Sequence, residues 1–273
     1  MGPPTNPHLQ HRSLTSYARG VSRDRDLQSG RARRVILCVI LFGMGAHLVC
    51  AAMRSSTNEI TMSELASKKM LAAHGLPVNL EREVANADEA AAAAGSIGFP
   101  VVAKLCGDAI AHKTERGLVR LGLTDAGAVR TAAAELLSAA SPDDGPVSVL
   151  IGEMVHASRE LIVGVNVQPP FGPVVMVGFG GILAEAIEDV SFRLLPVEPI
   201  DVEEMLDDLT NQKMLGEFRG EPAIDRVAVA EAVAAVGRAA GAIEGLVSID
   251  VNPMLIRDGV PVAVDALIVT ALS

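Results

Sequence analysis

A chain of 273 residues that is 49% hydrophobic and 21% charged can bury a sizeable core, which excludes intrinsic disorder and leaves room for one large domain or two small ones. Only 3% of it is aromatic, with no Trp and one Tyr, so the core must be aliphatic and platforms for stacking bases are scarce. Residues 1–54 carry a net +6 and residues 55–273 a net −16; so acidic a body excludes a nucleic-acid backbone as partner and leaves small phosphorylated ligands, held in local basic pockets, as the allowed anions.

The leader is polar and Arg-rich through Arg34, and Val35 to Met53 then runs nineteen residues without a formal charge. That length spans a bilayer, and Arg31, Arg33 and Arg34 would keep the N-terminus cytoplasmic. A signal-anchor at 35–53 would place the body outside. The favoured alternative is a start at Met53 or Met62, with the preceding residues being upstream sequence. A membrane contact is then expected only if residues 35–53 are present. Cys38, Cys50 and Cys106 form no CxxC pair and no metal spacing, so a reducing, cytoplasmic setting is the simpler inference.

From Thr61 the pattern is that of a folded body, residues 55–273. Thr61 and Glu64 predict a capping box ahead of a helix that Gly75 and Pro77 end, and a second helix is expected from Asp88 to about Ser96. Phe99 to Ala103 reads as a short strand with Lys104 at its end, where a flexible ammonium could reach a ligand phosphate. His112, Lys113 and Arg116 follow in one loop, which closes at Gly117 before Leu118 to Leu123 returns as a strand. Only five lysines occur in the chain, and two of them flank this loop. A basic β-loop-β site for phosphate is the first hypothesis; a solvated loop beside a core strand is the plain alternative.

Thr124 is expected to cap a helix to about Ala139, and the turn cluster Ser141 to Pro146 marks a candidate subdomain hinge. Strands are predicted at Val147–Val155, Glu160–Gln168 and Pro173–Val177, helices at Asp201–Leu209 and Asp225–Ala240, and strands again at Leu246–Val251, Leu255–Ile256 and Val260–Val264. Between the last three, Asn252-Pro253 and Asp258-Gly259 are expected to turn. Such a mixture is α+β rather than doubly wound.

Two further groups carry chemistry. If the strands around Asn252 and Asp265 pair, these residues meet as hard oxygen ligands, a sparse set that suits magnesium bound together with substrate phosphates. A turn in which Asn252 and Asp258 merely satisfy backbone groups is the alternative. Gly178-Phe179-Gly180-Gly181, leading to Glu185, Asp189 and Arg193, reads either as amides facing an anion or as a tight turn; the spacing is neither GxGxxG nor that of a P-loop. Glu153 and Glu160 stand at the end of one strand and the start of the next, near where an adenine and ribose would lie, or as ordinary edge carboxylates.

Taken in order, FPVVAK, AHKTERGLV, IGEMVHASRELIVGV, FGPVVMVGFGGILAEAIEDVSFRLLP and DVNPMLIRDGVPVAVDA resemble the ATP-grasp domain of NDP-forming acyl-CoA synthetases. The likeness is greatest to the β subunit of ADP-forming acetate–CoA ligase and more distant to the succinyl-CoA synthetase β subunit. It covers roughly Ile60 to Ala271 and implies two α+β subdomains with the nucleotide, ATP or ADP, between them.

By that resemblance Lys104 and Lys113 touch nucleotide phosphate, the loop at Gly117 covers it, Glu153 lies at the adenine hinge, Glu160 contacts ribose, and Asn252 and Asp265 hold magnesium. His112 matches a mobile-loop histidine that carries phosphate between a distant acyl-phosphate site and the nucleotide. Leu118, Gln168 and Leu267 depart from the family pattern, which usually shows Gly, Asp and Arg there; Leu118 bears on loop closure. The family's reaction also needs a CoA-binding domain and a ligase domain, too large for this body, so a CoA-binding α subunit is the implied partner, with acyl-CoA and phosphate arriving through the complex. A stand-alone ATP-grasp carboxylate ligase and a catalytically silent nucleotide-binding module are the alternatives.

Overall fold

The computed structural model describes residues 59–110, 113, 116–181 and 189–272; the expected span at 35–53, His112 and Glu185 lie outside the described residues. Strands β1 (Glu59–Thr61), β2 (Glu81–Val84), β3 (Val101–Cys106), β4 (Val119–Leu123), β5 (Ser148–Glu153), β6 (Glu160–Gln168), β7 (Gly172–Phe179), β8 (Val190–Leu194), β9 (Leu246–Arg257), β10 (Val260–Ala263) and β11 (Leu267–Ala271) alternate with helices α1 (Glu64–Ala73), α2 (Ala87–Ile97), α3 (Ala126–Ser138), α4 (Pro199–Asp208) and α5 (Arg226–Ala242). The α+β expectation holds. The strands form two antiparallel sheets, one of four strands in the order β2-β5-β3-β4 and one of seven in the order β1-β11-β9-β6-β7-β8, with β10 on β9.

Each sheet has its own core. Val101, Ala103 and Leu105 of β3 and Val149 and Ile151 of β5 point to one face of the smaller sheet, where α2 and α3 cover them with Ala90, Ala94, Val129 and Leu136. Their alternate neighbours must then face the other side, since strand side chains alternate. The larger sheet buries Leu161, Val163, Val165, Val175, Val177 and Ile249 against α4 and α5, whose apolar faces supply Val202, Leu206, Val229, Val233 and Val236. Helix α1 touches both sheets, with Leu71 in the larger core and Leu65 in a separate apolar contact with Cys106 and Leu150 of the smaller sheet.

Local signals mostly land one or two residues from expectation. Thr61 ends β1, and Ser63 caps α1 by accepting the Ala66 N–H at 3.4 Å; Asp125, not Thr124, caps α3. The Ser141–Pro146 turn holds a single 3₁₀ turn that joins α3 to β5 within the smaller sheet's unit, whereas the chain passes between the sheets at residues 154–159. The Asp258-Gly259 hairpin forms, both residues at positive φ (53° and 86°).

Two readings are corrected. Asn252-Pro253 is not a turn, since β9 runs through it. The register of β9 on β6 slips between Leu161 and Val163, so the proline, which has no N–H to donate, falls where the ladder is already interrupted. Gly178 does not end a strand either. It pairs with Val190, and a Cβ there would lie 2.5 Å from Val190 Cγ1 and 2.8 Å from the Asp189 carbonyl oxygen. Gly178→Ala must therefore push β8 off the sheet and is expected to cost about 1–3 kcal/mol of stability. The check is the urea midpoint, which falls if the clash is real and stays put if β8 shifts freely.

Candidate functional site

A cleft of about 270 Å³ opens between the two sheets, near the lower end of the size range of small-molecule sites. Val102, Leu121 and Leu150 of the smaller sheet form one wall, and Leu255, Val264 and Asp265 of the larger unit form the other. The apolar wall follows from strand alternation: it consists of the residues that β3, β4 and β5 turn away from their helices.

Lys104 lies in the middle of β3, not at its end. Ala103 and Leu105 on either side enter the core, which sends Lys104 into the cleft. Its ammonium donates to Glu64 Oε1 at 2.7 Å and to the Val264 carbonyl at 2.8 Å, and stands 3.8 Å from Asp265 Oδ2. Lys113 reaches the same place from the loop, donating to Glu64 Oε2 at 2.5 Å and lying 4.0 Å from Asp265 Oδ1. Glu64 is thus the acceptor shared by both lysines. One turn later on α1, Lys68 approaches Glu64 Oε1 at 2.9 Å. It also donates to Asn79 Oδ1 at 3.1 Å and to the Glu81 carboxylate on β2.

Burial alone would disfavour the Glu64 carboxylate, but Lys104, Lys68 and Lys113 reverse that and hold it well below the usual carboxylate range. Burial likewise works against the Lys104 ammonium, and Glu64 and Asp265 overcome it, so this lysine is raised above its ordinary value. Asp265 is pushed up, chiefly by burial, with Lys104 pulling the other way.

Asp265 sits in the link between β10 and β11. Ala263 pairs with Met254, Leu267 pairs with Asp250, and the Val264 N–H donates to the Pro253 carbonyl at 3.2 Å. The same register sets Asp265 opposite Asn252. The turn alternative for Asn252 is thereby set aside, since that residue is in a strand. Among the described residues no three His, Cys, Asp or Glu side chains cluster as a metal cage. One carboxylate and one amide, with Asp265 35% exposed towards the cleft, fit a hard cation that takes its other oxygens from water and phosphate. Asp250, two residues before Asn252, is half-buried beside Asp265 and pushed up to about 6 by desolvation and by that neighbour.

Among the remaining expected residues, Glu153 lines the cleft. Glu153 ends β5; its carboxylate accepts from the Leu80 N–H at 3.1 Å and meets Arg257 of β9 at 3.3 Å, linking the two sheets where the chain crosses. Glu160 opens β6, its carboxyl pushed up by burial. A Cβ on Gly181 would stand 2.6 Å from Glu160 Oε1. The Gly180 N–H is spent on the Glu160 carbonyl at 2.8 Å, so these glycines make room for Glu160 instead of offering that amide to an anion. Gly117 is exposed at φ +67° with open space around it. Leu118 turns into the smaller core. Arg116 forms a two-pronged pair with Asp144 at 2.7 and 2.8 Å.

The structure therefore gathers Lys104, Lys113 and Asp265, brings Asn252 alongside by register, and sets Glu153 in the cleft lining, while Glu160 pairs with the lining residue Leu255. Sequence reasoning missed Glu64, Lys68, Asn79 and Glu81. One signal was present: Glu64 and Lys68 stand four apart on a predicted helix, and Lys68 is one of the five lysines.

The ATP-grasp domain family matches residues 52–270. The chain is 34% identical over 203 residues to the β subunit of acetate–CoA ligase (ADP-forming) I of Pyrococcus furiosus, covering 73% of this chain and 88% of that one. It is 34% identical over 194 residues to 4-hydroxybutyrate–CoA ligase (ADP-forming) of Nitrosopumilus maritimus, covering 70% of this chain but spanning only 28% of that enzyme. Among solved structures, the dinucleotide-forming acetyl-coenzyme A synthetase 1 of Ca. Korarchaeum cryptofilum, in complex with coenzyme A and Ca-AMPCP, superposes with a TM-score of 0.72 at 31% identity, covering 77% of this chain and 93% of that chain. A second complex of that protein, with coenzyme A and Mg-AMPPCP and its phosphohistidine segment pointing towards the nucleotide-binding site, gives 0.66 at 33% identity, covering 76% and 91%.

Proposed function

Because the chain belongs to the ATP-grasp family, we propose that it is the nucleotide-handling subunit of an ADP-forming acid–CoA ligase. The reaction is acyl-CoA + ADP + phosphate ⇌ acid + CoA + ATP. The observation that carries this reading is the cleft between the sheets, where two lysines and a carboxylate converge: Lys104 and Lys113 lie within 4.0 Å of Asp265. Cations facing hard oxygens across a cleft are what a metal–nucleotide needs.

In this reading Lys104 and Lys113 meet phosphate oxygens, the apolar wall of Val102, Leu121 and Leu150 takes the base, and Glu153 and Glu160 receive the polar edges of base and ribose. Asn252 and Asp265 hold magnesium, which when bound neutralises charge on the phosphates. His112 accepts the phosphoryl group from the acyl-phosphate side and passes it to ADP. An unperturbed imidazole is mostly neutral near pH 7, and its ring nitrogen can act as nucleophile. A separate CoA-binding subunit completes the enzyme; the support is the β-subunit relative, of which this chain spans 88%. Among the described residues no helix is long and apolar enough to cross a membrane.

Co-expression with candidate CoA-binding subunits, followed by assay of ATP formation from acyl-CoA, ADP and phosphate, tests the proposal. Activity is expected only in a pair. Turnover of a carboxylate by the chain alone would replace this reading with a stand-alone ligase, and Mg·ATP binding without turnover in any pairing would replace it with a silent nucleotide-binding module.

A further inference from the structure

Glu64 is buried behind the cleft, with its side chain fully shielded, yet it holds both lysines that face the cleft. One carboxylate oxygen accepts from Lys104 at 2.7 Å and the other from Lys113 at 2.5 Å. The acid is itself fixed from behind by Lys68 at 2.9 Å, which Asn79 and Glu81 anchor in turn. Around this point three ammoniums, Lys68, Lys104 and Lys113, stand against three carboxylates, Glu64, Glu81 and Asp265. The formal charges cancel. A phosphate chain entering the cleft therefore meets lysines that are positioned but already neutralised, and Asp250, beside Asp265, adds only negative charge.

We propose that Glu64 is a positioning residue that makes nucleotide binding depend on a divalent cation: by neutralising Lys104 and Lys113 it leaves the negative charge of the phosphates to be balanced by the metal. The inference rests on the reading of the cleft as a nucleotide site and goes beyond it. The physical ground is that like and unlike charges a few ångströms apart in a recessed site interact strongly enough to decide which charge state of a ligand is accepted. Glu64 and Lys68 lie behind the lysines that would touch phosphate, so each acts through them rather than on the ligand. Neutralising Glu64 makes the site more positive, and neutralising Lys68 makes it more negative. A residue that merely supports the fold would weaken binding with and without metal alike.

The test is calorimetric titration of ADP into the full chain, once in excess magnesium and once in EDTA, with folding of each variant checked by circular dichroism. The wild type is expected to bind at least roughly tenfold more tightly with magnesium than without. Glu64→Gln should raise the affinity for metal-free ADP about tenfold and so shrink that ratio, whereas Lys68→Gln should enlarge it. A wild type that binds ADP equally in both conditions, or a folded Glu64→Gln or Lys68→Gln protein whose ratio is unchanged, overturns the role of Glu64. A wild type without magnesium dependence overturns that role even if neither variant folds. Absence of ADP binding to the wild type in either condition would instead remove the nucleotide-site reading on which the inference stands.

Discussion

An assembled complex carrying His112→Ala should form no measurable ATP from acyl-CoA, ADP and phosphate, a loss of roughly a thousandfold or more, while its affinity for nucleotide stays within about twofold. The expectation follows from residue type and from what flanks it. A ring nitrogen can take a phosphoryl group and release it, which alanine cannot do by any route, so the effect falls on turnover and spares binding. Ile110, two residues before, is buried in the smaller core, and Lys113, the next residue, is seated on Glu64. In the proposed relay Lys113 would supply a cation beside a phosphoryl group in transfer. The chemical signature is an acid-labile, base-stable label on this chain from γ-labelled ATP, present in the wild type and lost in the His112→Ala variant. Full turnover by the variant would show that phosphate reaches ADP by another route.

Lys104→Ala should weaken Mg·ATP binding about 10- to 100-fold, the effect of deleting one charge-assisted contact to phosphate. The fold should survive, because Glu64 keeps Lys68 at 2.9 Å and Lys113 at 2.5 Å and is not left as an unpaired buried charge. Asp265→Ala supplies the contrast, since it would remove a proposed ligand to the cation while leaving both lysines on Glu64. Titration calorimetry on each variant, alongside a thermal melt, separates loss of the site from loss of the fold. Unchanged affinity in both would remove these residues from nucleotide binding.

How much of this was legible before the structure depends on whether a residue's neighbours in sequence are its neighbours in space. Lys104 stood out because a short branched strand and a scarce residue type coincide there, and Asn252 and Asp265 because a hairpin signal lies between them. Glu64 did not stand out, since an acidic residue in the first turn of a helix is the ordinary complement to the helix dipole; only the packing of α1 between the two sheets turns it into the anion at the centre of a cation cluster. Strand β2 was invisible for a related reason. Glu-Arg-Glu-Val reads as solvated chain, and its pairing with β5 at the sheet edge is a long-range fact. The continuity of β9 through Pro253 was hidden because a proline reads as a breaker unless the register of the partner strand is known. Strand β8, with Val190, Phe192 and Leu194 alternating with Ser191 and Arg193, carried a period-2 signal that five residues made too short to separate from loop.

Among the described residues the two cores share no side chain, and they differ in kind. The smaller is built of thirteen buried side chains, five of them alanine, against thirty in the larger. Alanine buries little area, so the smaller unit has less to lose on opening and belongs to the low end of the molecule's stability spectrum. It is fastened to its neighbour by ion pairs, Glu64 with Lys104 and Lys113 and Glu153 with Arg257, and by the small apolar contact of Leu65 with Cys106 and Leu150. A ligand seated between the sheets would add contacts to both at once and lend the weaker partner the cohesion of the stronger. Loading the protein would then change its stiffness more than its shape, with the guest serving as a structural member of its host.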